Sequence, residues 1–208
     1  MTWLARVLLS KDDLASCRLL DNYAWHKAVW QCFPDMSDAD RDFLLRLDWQ
    51  DSGCRAYILS GPKPLRPGWC PPSGWAAKEI APGFLQHARY RFDLLANPTR
   101  KLVVRDASGQ RRKNGRRVPL VHEDDQRRWL EAKAQQHGFS LVHDAPLAVD
   151  PAGRHPFRRQ GVNGLHVGVR FRGVLNVTDR ELFASAFRKG VGSAKGFGFG
   201  MLLLQPIF

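Results

Sequence analysis

Between Asn22 and Phe33 the chain reads N-Y-A-W-H-K-A-V-W-Q-C-F and closes on Pro34. At about 100° per residue this segment is two-faced as a helix. Trp25, Ala28, Val29 and Cys32 fall on one side, and Tyr23, His26, Lys27 and Trp30 on the other. Tyr23 and His26, three residues apart, are surface neighbours on such a helix. An imidazole, with an ordinary pKa of about 6.5, exchanges protons near neutrality; a phenol, at about 10, stays protonated. The pair can take and give a proton at one reacting group, and Lys27 adds positive charge beside it. An amphipathic helix with incidental polar residues has the same pattern, so the rest of the chain must decide between the two.

Two further stretches carry potential chemistry. Arg100, Lys101, Arg105, Arg111, Arg112, Lys113, Arg116 and Arg117 crowd residues 100–117 against one acid, Asp106. Read as a hairpin with its turn at Asp106 to Gly109, this is a row of cations suited to a phosphate backbone. A solvated basic loop would look the same. Gly190 to Gly200 reads G-V-G-S-A-K-G-F-G-F-G. A helix precedes this loop and a strand follows it, the reverse of a dinucleotide-binding fingerprint, so such a site is not expected. Glycines let a backbone approach closely. Main-chain N–H groups around Gly190, Gly192 and Ser193, with Lys195, can hold a nucleic-acid phosphate; a tight helix-to-strand connection is the alternative.

The charge balance names the partner class. Residues 1–90 hold 11 Lys/Arg against 10 Asp/Glu, and residues 91–208 hold 21 against 10. The net charge of +12 therefore sits almost entirely in the second half, an electrostatic footprint for a polyanion. No apolar run is long enough to span a bilayer, and Trp3 to Leu9 reads as a first strand rather than a leader, which points to the cytoplasm. Cys17, Cys32, Cys54 and Cys70 form no C-x-x-C and no zinc-ligand spacing with His, so they read as thiols of a reducing compartment, with no metal and no cofactor expected.

The elements that must position these groups follow from periodicity. Thr2 to Leu9 is strand-like. Asp12 or Asp13 caps a helix that runs, with an irregularity near Asp21-Asn22, to Pro34. Ser37 to Asp40 is a polar turn. Phe43 to Gln50 alternates as a half-buried strand and returns through Asp51-Ser52-Gly53 as Cys54 to Ser60, a hairpin. Gly61 to Gly74 is a Pro/Gly loop, and Trp75 to Ile80 a short strand. In the second half, strands are expected at Arg89 to Leu95, Phe139 to Val149, Leu165 to Val177 and Met201 to Phe208. Helices are expected at Glu123 to Gln136, stopped by Gly138, and from Thr178-Asp179 through Arg188. Pro151 to Gly164, with Arg154, Arg158 and Arg159, reads as a loop. The order in the second half is βαββαβ, a split βαβ. The fold class is therefore α+β: two tandem ferredoxin-like (RRM-like) domains, 1–86 and 87–208, the N-terminal one degenerate in its second helix.

Four stretches in order carry a specific resemblance: Y-A-W-H-K-A-V-W-Q-C-F-P, A-N-P-T-R-K, R-R-V-P-L and G-V-G-S-A-K-G-F-G-F-G-M-L-L-L-Q-P. Spread from residue 23 to residue 206, they resemble the CasE family, the repeat-processing endoribonucleases of type I-E CRISPR systems. The resemblance implies two tandem ferredoxin-like domains and binding of the CRISPR repeat stem-loop. It implies metal-independent cleavage at the 3′ base of the stem, leaving a 2′,3′-cyclic phosphate and a 5′-hydroxyl. It also implies that the enzyme stays on the mature RNA and joins other Cascade subunits. His26 aligns with the family's catalytic histidine, Tyr23 with a tyrosine that assists in several members, and the glycine-rich loop with the family's loop beside the RNA. Arg158 and Arg159 fall in a region that is basic in some members. Which of Tyr23 and His26 is acid and which base stays open. A non-catalytic RRM-like RNA-binding protein is the competing reading. Lys195 to Phe199 matches the aromatic RRM signature only in part, and in the wrong strand.

Overall fold

Trp3–Ser10 forms the first strand, β1, and buries alternate residues Ala5, Val7 and Leu9. It runs without a loop into α1 (Lys11–Ser16), so the last strand residue becomes the cap. The Ser10 hydroxyl accepts from the Asp13 N–H at 3.1 Å, and the Asp13 carboxylate accepts from the Ser10 N–H at 2.9 Å. The capping residue is thus Ser10, and Asp13 is its reciprocal partner rather than the cap. The computed structural model describes residues 1–36, 42–103, 109–110, 117–159 and 162–208, the side chains of 157–159 and 162–163 excepted. The turn expected at Ser37 to Asp40 lies outside the described residues.

The helix expected to run through to Pro34 is two helices. Arg18 adopts φ 55°, a left-handed conformation that ends the first. Asp21 then caps α2 (Asn22–Val29), its carboxylate accepting from the Ala24 N–H at 2.7 Å. A 3-10 turn, Trp30–Cys32, follows before Pro34. Strands β2 (Phe43–Gln50) and β3 (Gly53–Ser60) pair as the expected hairpin, and β4 (Trp75–Glu79) pairs with β1. The antiparallel sheet has the order β2-β3-β1-β4. Trp25, Ala28, Val29 and Cys32 pack on one face of it with Leu45, Leu47 and Ile58.

β2 is not half-buried. Leu44 and Arg46, on the face expected to meet solvent, are buried along with Phe43, Leu45 and Leu47. The second half of the chain covers that face. It begins with β5 (Arg89–Ala96), and its core includes Leu44 and Leu59 from the first sheet. A short hairpin, β6 (Thr99–Lys101) with β7 (Arg117–Pro119), precedes α3 (Glu123–Gln136). Gly138 follows with φ 73°, where an added Cβ would meet the Asp179 carbonyl at 2.4 Å. Strands β8 (Phe139–Leu141), β9 (Ala148–Arg159) and β10 (Val162–Val177) come next, then α4 (Arg180–Lys189) and β11 (Leu202–Pro206). This sheet is also antiparallel, ordered β11-β5-β10-β8, with β9 on β10 as well. The central strands are β3 and β1 in the first sheet and β5 and β10 in the second.

Two expectations for this half change. Residues 139–149 form not one strand but two, β8 and the start of β9, separated by a turn. Residues 151–159 and 162–164 belong not to a loop but to the arms of a long hairpin, paired from Arg172 opposite Ala148 to Val162 opposite Arg159. Pro151, Gly153 and Pro156 hid this strand. Proline lacks the N–H that a central strand needs, yet is tolerated on an edge strand such as β9.

An ionic bridge joins the halves. Arg46, fully buried, donates to Asp48 at 3.0 Å, to the Asp93 carbonyl at 3.0 Å and to the Asp93 carboxylate at 2.9 Å. Arg170 on β10 holds the same carboxylate through three bonds, the shortest 2.5 Å. Burial pushes the Asp93 carboxyl up, but the hydrogen bonds of Arg170 and the charge of Arg46 outweigh it and hold the group below the usual range. No helix among the described residues is long and apolar enough to cross a membrane.

Candidate functional site

α2 presents the expected outer face. Tyr23 and Lys27 are exposed, and His26 and Trp30 are half-buried. The Lys27 ammonium stands 4.3 Å from the centroid of the Tyr23 ring, one turn away, as a cation–π pair. The His26 ring lies 6.1 Å from that of Phe43, which also stacks on Phe33. The first turn of the helix is held from the other half of the chain. Asn22 donates its side-chain amide to the Phe197 carbonyl at 2.5 Å, inside the glycine-rich segment.

That bond closes one end of a cleft of about 890 Å³. Leu20, Asp21, Asn22, Tyr23 and Trp49 line it from the first half of the chain, and Arg154, His155, His166 and Phe197 from the second. A second cleft of about 900 Å³ shares Gly164 and His166 with the first and runs on past Ser193 and Asn97 to Arg117. The two adjoin at these residues, one reaching Tyr23 and the other Arg117 at the described end of the basic segment. His26 lines neither cleft; it lies one turn beyond Tyr23 on the same side of the helix.

Arg100 and Lys101 are exposed on β6, opposite Val118 and Arg117 on β7. The hairpin is therefore present at its base, while Arg105, Arg111, Arg112, Lys113 and Arg116 lie outside the described residues. Arg158 and Arg159 sit at the tip of β9, opposite Asn163 and Val162; their side chains lie outside the described ones. In the glycine-rich loop, Gly190 is buried, and a Cβ there would meet the Gly200 carbonyl at 2.9 Å and Leu44 at 3.1 Å. A Cβ on Gly192 would meet the Trp129 ring at 3.0 Å. These two glycines serve close packing, whereas Ser193 opens on the second cleft and donates its hydroxyl to the Asn97 carbonyl at 3.2 Å. Lys195 is near enough to His137 that, after burial and Lys133, its charge helps push that imidazole below its ordinary value.

Sequence reasoning did not single out Leu20, Asn22, Trp49, His155 or His166 as site residues. The two histidines face each other across the β9–β10 hairpin, so reading that hairpin as a loop concealed them. The His166 ring packs 4.8 Å from Phe197 and 5.8 Å from Phe199, and His155 packs 5.3 Å from Phe199. Burial, with the charge of His155, pushes His166 down to about 4. Burial likewise pushes the Cys32 and Cys54 thiols up to about 12 and Cys70 to about 11, so none of them is a nucleophile near neutrality. Among the described residues, no three of His, Cys, Asp and Glu cluster as metal ligands do.

The family model described as CRISPR associated protein matches residues 2–206. The CRISPR system Cascade subunit CasE of Escherichia coli K12 is 29% identical over 205 residues, covering 96% of this chain and 99% of that protein. The CRISPR-associated endoribonuclease Cse3 of Thermus thermophilus is 26% identical over 219 residues, covering 98% and 100%. The structure of Thermus thermophilus Cse3 bound to an RNA representing a pre-cleavage complex superposes with a TM-score of 0.76 at 25% identity, covering 99% of each chain.

Proposed function

The chain belongs to the CRISPR-associated protein family, and on that premise we propose that it is the endoribonuclease that processes precursor CRISPR RNA. It binds the repeat stem-loop, cuts at the 3′ base of the stem, stays on the mature RNA and assembles with other Cascade subunits in the cytoplasm. One observation carries this reading: two adjoining clefts share Gly164 and His166, one lined by Tyr23 on α2 and the other by Ser193 and by Arg117 of the basic hairpin. A reactive helix end and a phosphate-binding surface meet there. The likeness to an RNA-bound Cse3 supports it.

The architecture is two tandem ferredoxin-like domains, 1–86 and 87–208, the first with its second helix replaced by the Gly61–Gly74 loop. The strand orders support this, with β1 and β3 central in the first half and, setting aside the added edge strand β9, the first and third strands β5 and β10 central in the second. The clefts lie where the domains meet.

The nucleophile is the ribose 2′-hydroxyl beside the scissile phosphate. Its oxygen attacks phosphorus, the bond from phosphorus to the 5′-oxygen breaks, and the 2′,3′-cyclic phosphate and 5′-hydroxyl result. One proton leaves the 2′-hydroxyl and one reaches the 5′-oxygen. Tyr23 and His26 share these two transfers, each worth about 10²–10⁴-fold. Lys27, held beside the Tyr23 ring, stabilises the charge that builds on the phosphoryl oxygens. Arg100, Lys101, Arg117, Arg158, Arg159, Ser193 and Lys195, with the cations of 105–116, hold the RNA. Gly190 and Gly192 shape the loop that presents Ser193. The internal hydroxyl makes an activated water, and hence a metal, unnecessary.

The test is cleavage of a repeat stem-loop RNA with an intact or a 2′-deoxy ribose at the cut, with and without EDTA. The intact RNA should give the cyclic phosphate at the same rate in EDTA, and the deoxy RNA should bind uncut. Inhibition by EDTA would remove the metal-free route. Binding of intact RNA without any cleavage would leave an RRM-like binding protein.

A further inference from the structure

Three of the largest exposed apolar side chains stand together on one wall of the first cleft. Leu20 is 68% exposed, Tyr23 48% and Trp49 41%. Trp49 is the last residue but one of β2, where the strand emerges from the cover of the second half. The opposite wall supplies Arg154, exposed on β9, and the imidazoles of His155 and His166. Asp21 also lines the cleft, with one carboxylate oxygen accepting from the Ala24 N–H at the start of α2, and Asp48 is paired with Arg46. An aromatic face, an apolar flank and, across the cleft, a guanidinium in none of the ion pairs among the described residues match a nucleotide, with a π-face for stacking and one phosphate. A duplex offers no such face, because its bases are covered on both sides by their neighbours. The cleft is sized for a small ligand rather than a helix.

We propose that Trp49 and Leu20 seat the base of the first unpaired nucleotide 3′ of the cut, with Arg154 on its phosphate, so that the scissile bond is drawn against Tyr23. This rests on the endoribonuclease reading. If the cut lies at the 3′ base of the stem, the nucleotide upstream is paired and the one downstream is free to stack. Trp49 thereby sets which RNA is cut and how fast, while the stem and its phosphates set how tightly the RNA is held.

The test compares wild-type protein, Trp49→Ala and Trp49→Phe in single-turnover cleavage of repeat stem-loop RNA, intact or abasic at that first 3′ nucleotide. Trp49→Ala should slow cleavage of intact RNA by about 5- to 150-fold, the range for one base stacked on an aromatic ring, with stem affinity nearly unchanged. Trp49→Phe should recover most of the rate. Abasic RNA should be slowed by a similar factor with wild-type protein, and Trp49→Ala should then add nothing. Equal rates on intact RNA, or equal slowing of intact and abasic RNA by Trp49→Ala, overturn the seat. If Trp49→Ala does not fold, unimpaired cleavage of abasic RNA by wild-type protein overturns it by itself. Absence of any cleavage by wild-type protein overturns the endoribonuclease reading and the seat with it; cleavage indifferent to Trp49 and to the base overturns the seat alone.

Discussion

Asn22 donates its side-chain amide to the Phe197 carbonyl at 2.5 Å, across 175 residues of sequence. The first residue of the helix bearing Tyr23 and His26 is thus fastened to the loop that borders both clefts. Asn22→Ala removes the donor and about 1 kcal/mol of local stability. Cleavage should fall up to about tenfold while RNA affinity holds. Asn22→Asp should be worse at neutral pH, since it sets a carboxylate against a carbonyl oxygen. Single-turnover rates and filter-binding titrations separate the two effects.

Arg46, Asp93 and Arg170 make the ionic contact between the halves, and Asp93 is its pivot. Asp93→Ala leaves the buried Arg46 with Asp48 as its remaining carboxylate partner and takes the anion from Arg170, and should cost up to about 3 kcal/mol, read from urea unfolding. The folded carboxyl titrates below its unfolded value, so the unfolded chain takes up this proton first as pH falls. The contribution is full above about pH 4, the unfolded value, and is lost as pH drops through the folded one. Asp93→Asn should flatten that acid limb.

His166 titrates at about 4 in the fold, against about 6.5 when unfolded. Between those values the unfolded chain binds a proton that the folded chain refuses, so stability should decline as pH falls from about 6.5 to 4. His166→Phe keeps a ring against Phe197 and Phe199 and should remove that slope. Because His166 is neutral at pH 7, the pH dependence of cleavage near neutrality should survive the change. Urea melts across pH and a pH–rate profile of the variant check both statements.

Much of this was legible from the residues. The buried set Trp25, Ala28, Val29 and Cys32 lies on the face that helical spacing dictates, and the β2–β3 hairpin turns at Gly53 as its flanking alternation requires. What escaped was tertiary. Leu44 and Arg46 read as the solvent side of β2 because local alternation carries no word of a second sheet covering it. The β9–β10 hairpin was masked by Pro151 and Pro156, and with it the facing pair His155 and His166. Asn22 read only as part of an irregularity within one helix, since a side chain bonded 175 residues away leaves no local pattern.

The basic hairpin should reveal itself in salt. Arg100→Glu, Lys101→Glu and Arg117→Glu together, or charge reversal from Arg111 to Arg117, should weaken RNA binding. Each phosphate no longer neutralised should also lower the slope of log affinity against log salt by a little under one. An unchanged slope means that the hairpin does not touch RNA. Fluorescence anisotropy over a salt series measures it.

The central claim is that the outer face of α2 carries the chemistry. The most direct test is the single-turnover cleavage rate of His26→Ala on a repeat stem-loop RNA, with its binding measured alongside. The proposed mechanism predicts affinity close to wild type and a rate lower by about 10²-fold or more, as loss of a proton-transfer group requires. Cleavage at near the wild-type rate would contradict it and move the reaction elsewhere along the clefts.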